Sequence, residues 1–382
     1  QFIQGISMKK KILITSTDVM MLQFLVPHVF YLQNQGYEVE VACSNVENHV
    51  DELKDIFKTK VKMHLVELKR NPMQISNVQG LLQLIKIIKA GSYDIVWTNE
   101  PVMGIMTRLA ARIVRRKKVK IIYVAHGFHF YKGAPKKNWI IYYPIEKIFS
   151  LFTDEIVTIN NEDYNFARQN FTRAKVVKFP GIGINTSKFF KEVPYEVIEE
   201  KKRELGIEND EEVILSVGEL EKRKNHETSI RAFKAAKIEK AKLLICGVGT
   251  QENSLRKLIE ELQLEQQVFL LGYRTDISEL CHMADVFLFT TYQEGLSVAL
   301  MEAMSVGVPC IVSKIRGNVD LIEKGKGIYC NPYDRVSCAS AITKYFKNQD
   351  RFKDILKYNQ NKIKEFDIGK VTHMMERELE NI

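Results

Sequence analysis

Glu294 and Glu302 bracket the stretch Glu294-Gly-Leu-Ser-Val-Ala-Leu-Met-Glu302. An apolar run, Val286-Phe-Leu-Phe-Thr-Thr291, precedes it and reads as a buried strand. Behind it the pattern turns helical through Ala303 and Met304 and stops at Gly307-Val-Pro309. Glu294 therefore belongs to a strand-to-helix loop, with Ser297 placed to cap the helix. The backbone N–H groups of Gly295, Leu296, Ser297 and Val298 would open that helix and form an anion site, and Gly295 lets a ligand approach the backbone. One acid before such a turn and one after it make a nucleotide-sugar clamp. Glu294 would accept hydrogen bonds from sugar hydroxyls, and Glu302 from a ribose. Spacing alone fits a solvated loop acid and a surface helix acid at least as well. The neighbours of Glu302 (Val298, Ala299, Leu300, Met301, Ala303 and Met304) argue otherwise, since an unpaired carboxylate among them is costly.

The elements that must position these groups repeat along the chain. Short apolar runs occur at Ile12–Ile14, Val39–Val41, Asp94–Trp97, Ile121–Val124, Glu155–Thr158 and Val176–Lys178. A second series lies at Val213–Val217, Leu243–Ile245, Val268–Leu271, Val286–Phe289 and Cys310–Val312. Helical stretches separate them, which is the rhythm of parallel sheets covered on both faces. Two series predict two doubly wound α/β domains, with a break near Asn185 to Glu200. The expected division is 8–188, 189–350, and a helical segment 351–382 that packs back on the first domain. In such folds ligands collect at the carboxyl ends of strands. The loops there hold Ser16-Thr-Asp18, Thr98-Asn-Glu-Pro101, His126-Gly-Phe-His129, Asn160-Asn161, Gly181-Ile-Gly183, Gly218-Glu-Leu-Glu-Lys-Arg-Lys-Asn225, Gly247-Val-Gly249, Gly272-Tyr-Arg274 and Thr290–Glu294. No intact Gly-x-Gly-x-x-Gly with a following acid is found, which argues against a nicotinamide enzyme, and no Gly-Lys-Ser/Thr phosphate loop is present.

Composition sets outer limits. The chain has 382 residues, 45% of them hydrophobic, and no apolar run reaches the roughly 18 residues of a membrane span. Residues 1–7 lack the apolar length of a secretory signal, and Met8 before Lys9-Lys-Lys11 looks like the natural start. Six scattered cysteines (43, 246, 281, 310, 330 and 338) without a Cys-x-x-Cys pair read as reduced, buried side chains of a cytosolic protein, with no zinc site.

The net charge of +9 is uneven: residues 1–190 hold 27 Lys and Arg against 15 Asp and Glu. The first half is thus expected to face an anionic surface. Arg108–Lys120 carries seven positive charges and no acid, and Lys136–Phe152 mixes basic and aromatic residues. Both fit attachment to an anionic membrane. The first fits a solvated helix face as well, and the second a buried helix of the first domain. Nucleic-acid binding could use the same charges, but no binding module or aromatic platform is recognisable.

Several segments together resemble the retaining glycosyltransferases with the GT-B fold, whose hallmark is Glu, seven residues, Glu. They are Ser-Val-Gly-Glu-Leu220, Lys-Asn-His226, Leu-Gly-Tyr-Arg-Thr-Asp276, Ala-Asp285, Tyr-Gln-Glu-Gly-Leu-Ser297, Glu-Ala-Met304, Gly-Val-Pro309 and Ile-Arg-Gly-Asn318. Ala-His-Gly-Phe-His-Phe130 is similar to the matching segment of bacterial exopolysaccharide and capsule transferases. The resemblance covers nearly the whole chain. It implies two Rossmann-like domains facing across a cleft, the second binding a nucleoside-diphosphate sugar and the first the acceptor.

By position, the resemblance places Glu294 on the donor sugar hydroxyls, Glu302 on the ribose and Lys224 on the phosphates. Gly218 starts the lysine's loop, and Tyr273 and Arg274 lie beside the base. His126 contacts the transferred sugar, and the segment 295–298 lies at the phosphate. Relatives often carry Arg where this chain has Glu219, which leaves Arg223 as the second cation. Glu294, Lys224 and His126 form the catalytic set, and no metal or other cofactor is expected. The glycine-rich loop that many relatives have after the first strand reads Ser16-Thr-Asp-Val-Met-Met21 here. Ser16, Asp18, His126 and His129 are the acceptor candidates; Asp18 equally fits a helix cap, and His126 a buried structural histidine.

The implied activity is transfer of a hexose or N-acetylhexosamine from a UDP-sugar to a lipid-linked, undecaprenyl-diphosphate type saccharide. It would be cytoplasmic and peripheral on the inner membrane face, in surface polysaccharide or glycan synthesis. A UDP-sugar epimerase on the same fold and a non-catalytic polyanion-binding subunit are the alternatives. The first would release a free UDP-sugar without acceptor, and the second would not bind UDP. On this reading Glu294→Ala abolishes transfer with little loss of folding.

Overall fold

A computed structural model describes residues 10–17, 19–45, 50–58, 60–69, 71, 74–114 and 119–382. Two compact units result, one of Gln1–Ile182 with Gly369–Ile382, the other of Gly183–Ile368.

In the first unit, β1 (Lys11–Ser16), β2 (Glu38–Cys43), β3 (Lys62–Leu65), β4 (Ile95–Asn99), β5 (Lys120–Ala125), β6 (Glu155–Thr158) and β7 (Lys175–Lys178) form one parallel sheet in the order β3-β2-β1-β4-β5-β6-β7. In the second, β8 (Glu212–Val217), β9 (Ala241–Cys246), β10 (Val268–Gly272), β11 (Val286–Phe289), β12 (Cys310–Ser313) and β13 (Ile328–Cys330) form another, ordered β10-β9-β8-β11-β12-β13. Both are doubly wound. The strand order reverses beside β1 in one sheet and beside β8 in the other, and the crevice outside that point is where such folds bind ligands.

Continuous apolar strands become central because both their faces are covered. Ile12 and Ile14 enter one cluster and Leu13 another; Ile214 enters one cluster of the second unit and Val213 and Leu215 the other. All eleven apolar runs in the sequence are strands. The two strands without such a run, β3 and β13, lie at sheet edges. All six cysteines are free and buried.

The division differs from the expected one. Helix Gln349–Ile363 packs on helix Val298–Val306 inside the second unit. Only helix Ile368–Glu380 returns to the first, where Met375 and Leu379 join the core of Ile12 and Ile14. Lys10 Nζ donates to Leu379 O at 3.0 Å and Tyr31 to Glu376 at 3.0 Å, while Lys175 pairs with Glu378. Just inside the second unit the two connecting segments are paired, Ile184 N donating to Phe366 O and Ile368 N to Ile184 O.

One residue of the first basic segment, Arg108, is also corrected. Arg108 is fully buried, its guanidinium 2.9 Å from Glu146 Oε2 and stacked on Tyr123. A buried cation needs a buried partner, and here that partner lies on the next helix, beyond the reach of a local charge count. Arg115, Arg116, Lys117 and Lys118 lie outside the described residues, as does Asp18.

Candidate active site

In the second unit the site is built from two loops fastened together at the carboxyl ends of β8 and β11. The turn Lys222–Lys224 ends at Asn225, which is buried with φ of +57°. Asn225 Nδ2 donates to Thr290 O at 2.8 Å and to Pro332 O at 3.0 Å. The N–H of Tyr292 and the hydroxyl of Thr291 both donate to Arg223 O at 2.9 Å. These bonds bring Lys224 Nζ to 2.7 Å from Glu294 Oε1; Thr291 Oγ1 lies 3.0 Å from the same oxygen, its single proton shared between this carboxylate and Arg223 O. Both members of this pair are nearly enclosed, and the Lys224 ammonium lies 5.3 Å from the centre of the Phe289 ring.

Two glycines make the close approaches. At Gly247, φ +150°, a Cβ would lie 2.0 Å from Gly218 O. At Gly317, φ +77°, one would lie 2.6 Å from Gly295 O. Any side chain would push the loops apart.

Ser297 caps helix Val298–Val306, its hydroxyl accepting from Leu300 N at 3.3 Å, and Gly307 ends the helix at φ +92°. The helix begins at Val298 as expected, so the segment 295–298 leads into a helix N-terminus, which is suited to an anion. Glu302 follows on the second turn. Burial pushes its carboxyl up to about 7, opposed by Lys188. Among the described residues it has no hydrogen bond, so it is a desolvated acid that a pair of hydroxyl donors would stabilise.

The other donor candidates are more dispersed. Arg223 reaches Glu294 only at 3.8 Å, and its guanidinium is bonded to Glu219 at 2.5 Å. The acid that stands where relatives often carry Arg thus occupies the second cation. Arg274 grips Asp276 through two nitrogens and also bonds Glu204, so it holds its own loop in shape. Tyr273 beside it is 73% exposed.

The first unit carries a second cluster, at the carboxyl ends of β1, β4 and β5. Asn99 Nδ2 donates to Thr15 O at 3.1 Å, which turns its Oδ1 toward His126 Nε2 at 2.9 Å. His126 Nε2 therefore carries the proton and Nδ1 the lone pair. Burial, with His28 adding to it, lowers the His126 pKa to about 4, so the ring is neutral at pH 7 and accepts a proton poorly.

Ser16 donates to Glu100 Oε2 at 2.6 Å, and Thr17 N donates to the same oxygen at 2.8 Å. The Ser16 hydroxyl proton is thus directed inward at Glu100, whose φ is +63°. His129 is set apart from His126, its ring 4.6 Å from that of Tyr142. Sequence reasoning missed Asn99, Glu100, Asn225 and Thr291 as site residues. All lay within the strand-end loops already singled out.

Two doubly wound units, a Glu-x7-Glu helix and a lysine fastened to its first acid define a GT-B glycosyltransferase. Comparison with known proteins agrees. The family described as glycosyl transferases group 1 matches residues 197–362, and glycosyl transferase 4-like matches 12–160. EpsD of Bacillus subtilis (strain 168), named as a glycosyltransferase, is 36% identical over 326 residues, 84% of this chain and 82% of its own. The Escherichia coli UDP-Gal:alpha-D-GlcNAc-diphosphoundecaprenol alpha-1,3-galactosyltransferase is 29% identical, over 76% of this chain and 75% of its own. The fold matches Anabaena Alr3699/HepE, solved in complex with UDP-glucose, with a TM-score of 0.80 at 18% identity, over 98% of this chain and 100% of that one. The chain belongs to the GT-B glycosyltransferases of the group 1 and family 4 type, alongside enzymes of exopolysaccharide and capsule synthesis.

Proposed function

We propose that this chain is a retaining, metal-independent transferase. It moves a hexose or N-acetylhexosamine from a UDP-sugar to an undecaprenyl-diphosphate-linked saccharide, working as a peripheral protein on the inner face of the cell membrane. The observation that carries this reading is the Lys224–Glu294 pair, 2.7 Å apart, with Glu294 three residues before the helix cap Ser297. The name of the Escherichia coli relative supports both the donor and the lipid-diphosphate acceptor. Among the described residues no helix is long and apolar enough to cross a membrane.

In this mechanism the bond from the sugar C1 to the β-phosphate oxygen breaks. The acceptor oxygen forms its bond to C1 on the same face, and the acceptor's proton passes to the departing UDP. Negative charge grows on the diphosphate. Lys224 and the N–H groups of residues 295–298 are fixed before the reaction, so stabilising that charge requires no reorganisation. Removing one such donor typically costs about 10²–10³ in turnover. Arg223 joins them once phosphate displaces Glu219. Glu294, held by Lys224 and Thr291, keeps one oxygen for sugar hydroxyls. His126 Nδ1 accepts a hydroxyl proton in a hydrogen bond.

The test is incubation with UDP-glucose, UDP-galactose and their N-acetyl forms, a synthetic undecaprenyl-diphosphate N-acetylhexosamine, and EDTA. An α-linked disaccharide lipid is expected. Absence of any product together with absence of UDP binding would sink the proposal, and a dependence on added divalent metal would remove its metal-independent part.

A further inference from the structure

Helix Lys136–Ser150 is built inside out for a protein surrounded by water. Its inward face is aromatic and polar: Trp139 and Tyr143 pack on Phe130 and Phe166, and Glu146 neutralises Arg108. Its outward face is aliphatic. Ile140 is 74% exposed, Ile141 50%, Ile148 53% and Leu151, just past the end, 47%. With the exposed Pro144 between them, these positions follow the three- and four-residue steps of one helical stripe. Exposed Lys136, Lys137 and Lys147 flank it, and the segment's acid, Glu146, is turned inward. The neighbouring helix Pro101–Val114 adds exposed Arg112, whose guanidinium lies over Phe152, and exposed Ile113.

A contiguous apolar stripe on a surface marks an interaction site. The charge around it selects the partner. A second copy of this chain would bring one set of lysines against another, which is unfavourable. An anionic lipid bilayer offers hydrocarbon to the isoleucines and headgroup phosphates to the lysines at the same depth.

We propose that the stripe of Ile140, Ile141, Ile148 and Leu151, with Lys136, Lys137 and Lys147 beside it, is the surface by which this chain lies on an anionic membrane. This rests on the membrane-acceptor reading above, but its test needs no sugar.

Vesicle sedimentation with phosphatidylcholine alone and with added phosphatidylglycerol measures the partition of the wild-type chain. The comparison is with I140S/I141S/I148S and with K136Q/K137Q/K147Q. The wild type is expected to bind the anionic vesicles only. The lysine variant should lose about 10²-fold in partition, from roughly fivefold for each of its three lysines at low salt. The isoleucine variant should lose at least tenfold at every salt concentration. Both should keep wild-type transfer to a short-chain, water-soluble acceptor, so a failure of the catalytic reading is seen separately. Equal partition of wild type and isoleucine variant overturns the proposal. So does failure to bind anionic vesicles, or a concentration-dependent dimer that the isoleucine variant abolishes.

Discussion

Glu302 and Glu294 should respond differently to removal, because among the described residues Glu302 has no hydrogen-bond partner while Glu294 has Lys224. Burial raises Glu302 to about 7, above its unfolded value, so the folded state takes up its proton and loses stability as pH rises from about 4.5 through 7. Glu302→Gln should therefore raise the unfolding free energy at pH 8 by on the order of 1–3 kcal/mol, seen as a higher melting temperature, with little change at pH 4. On the proposed donor reading, ribose hydroxyls bind the ionised form. Wild-type affinity for UDP, followed by calorimetry, should thus fall as pH drops below about 7, by up to about tenfold per unit. The Gln variant should bind weakly without that slope. Glu294 is enclosed with Lys224. Glu294→Ala leaves an uncompensated ammonium, so loss of transfer should come with about 2 kcal/mol lost in urea unfolding. That is more than the sequence alone implies, because burial of the pair is not written in the motif. His126 gives the third case. Asn99→Asp puts a carboxylate on Nε2, raises the imidazole pKa and favours protonation at Nδ1. At saturating donor, the acid-side fall in transfer by that variant should begin at higher pH than in the wild type, where burial holds His126 to about 4.

At the scale of elements, the Lys222–Lys224 turn depends on Asn225, which holds two buried carbonyls from a left-handed backbone. Asn225→Ala strands both carbonyls and adds about 1–2 kcal/mol of backbone strain. It should lower the melting temperature and raise the donor KM by displacing Lys224. Asn225→Gly should recover only the strain. Such a pin is hard to read from a sequence, because its partners lie 65 and 107 residues away. Central strands were legible for the opposite reason: burial on both faces forces a continuous apolar run. β3 and β13, covered on one edge, need no such run and left no signal. The clamp at Glu294 was legible because its acids, glycine and helix cap are local. Arg108 was misjudged because a charge run records the type of a side chain and not its depth.

For the whole molecule, the chain passes between its units twice, and helix Ile368–Glu380 completes the first. Ending the chain at Asp367 uncovers the sites of Met375 and Leu379 and leaves Lys175 without Glu378. Each large core side chain lost costs about 2–5 kcal/mol. Calorimetry should show the first unit's transition lowered or missing. UDP should still bind, since Lys224, Glu294 and Glu302 all belong to the second unit.

The return of that helix also fixes an order of events during synthesis. On the ribosome, the segment carrying Ile12 and Ile14 emerges early yet lacks its final packing partner until Leu379 has cleared the exit tunnel. The half that begins later, Gly183–Ile368, can settle first. Until the closing helix docks, the early half stays exposed to chaperones and proteases.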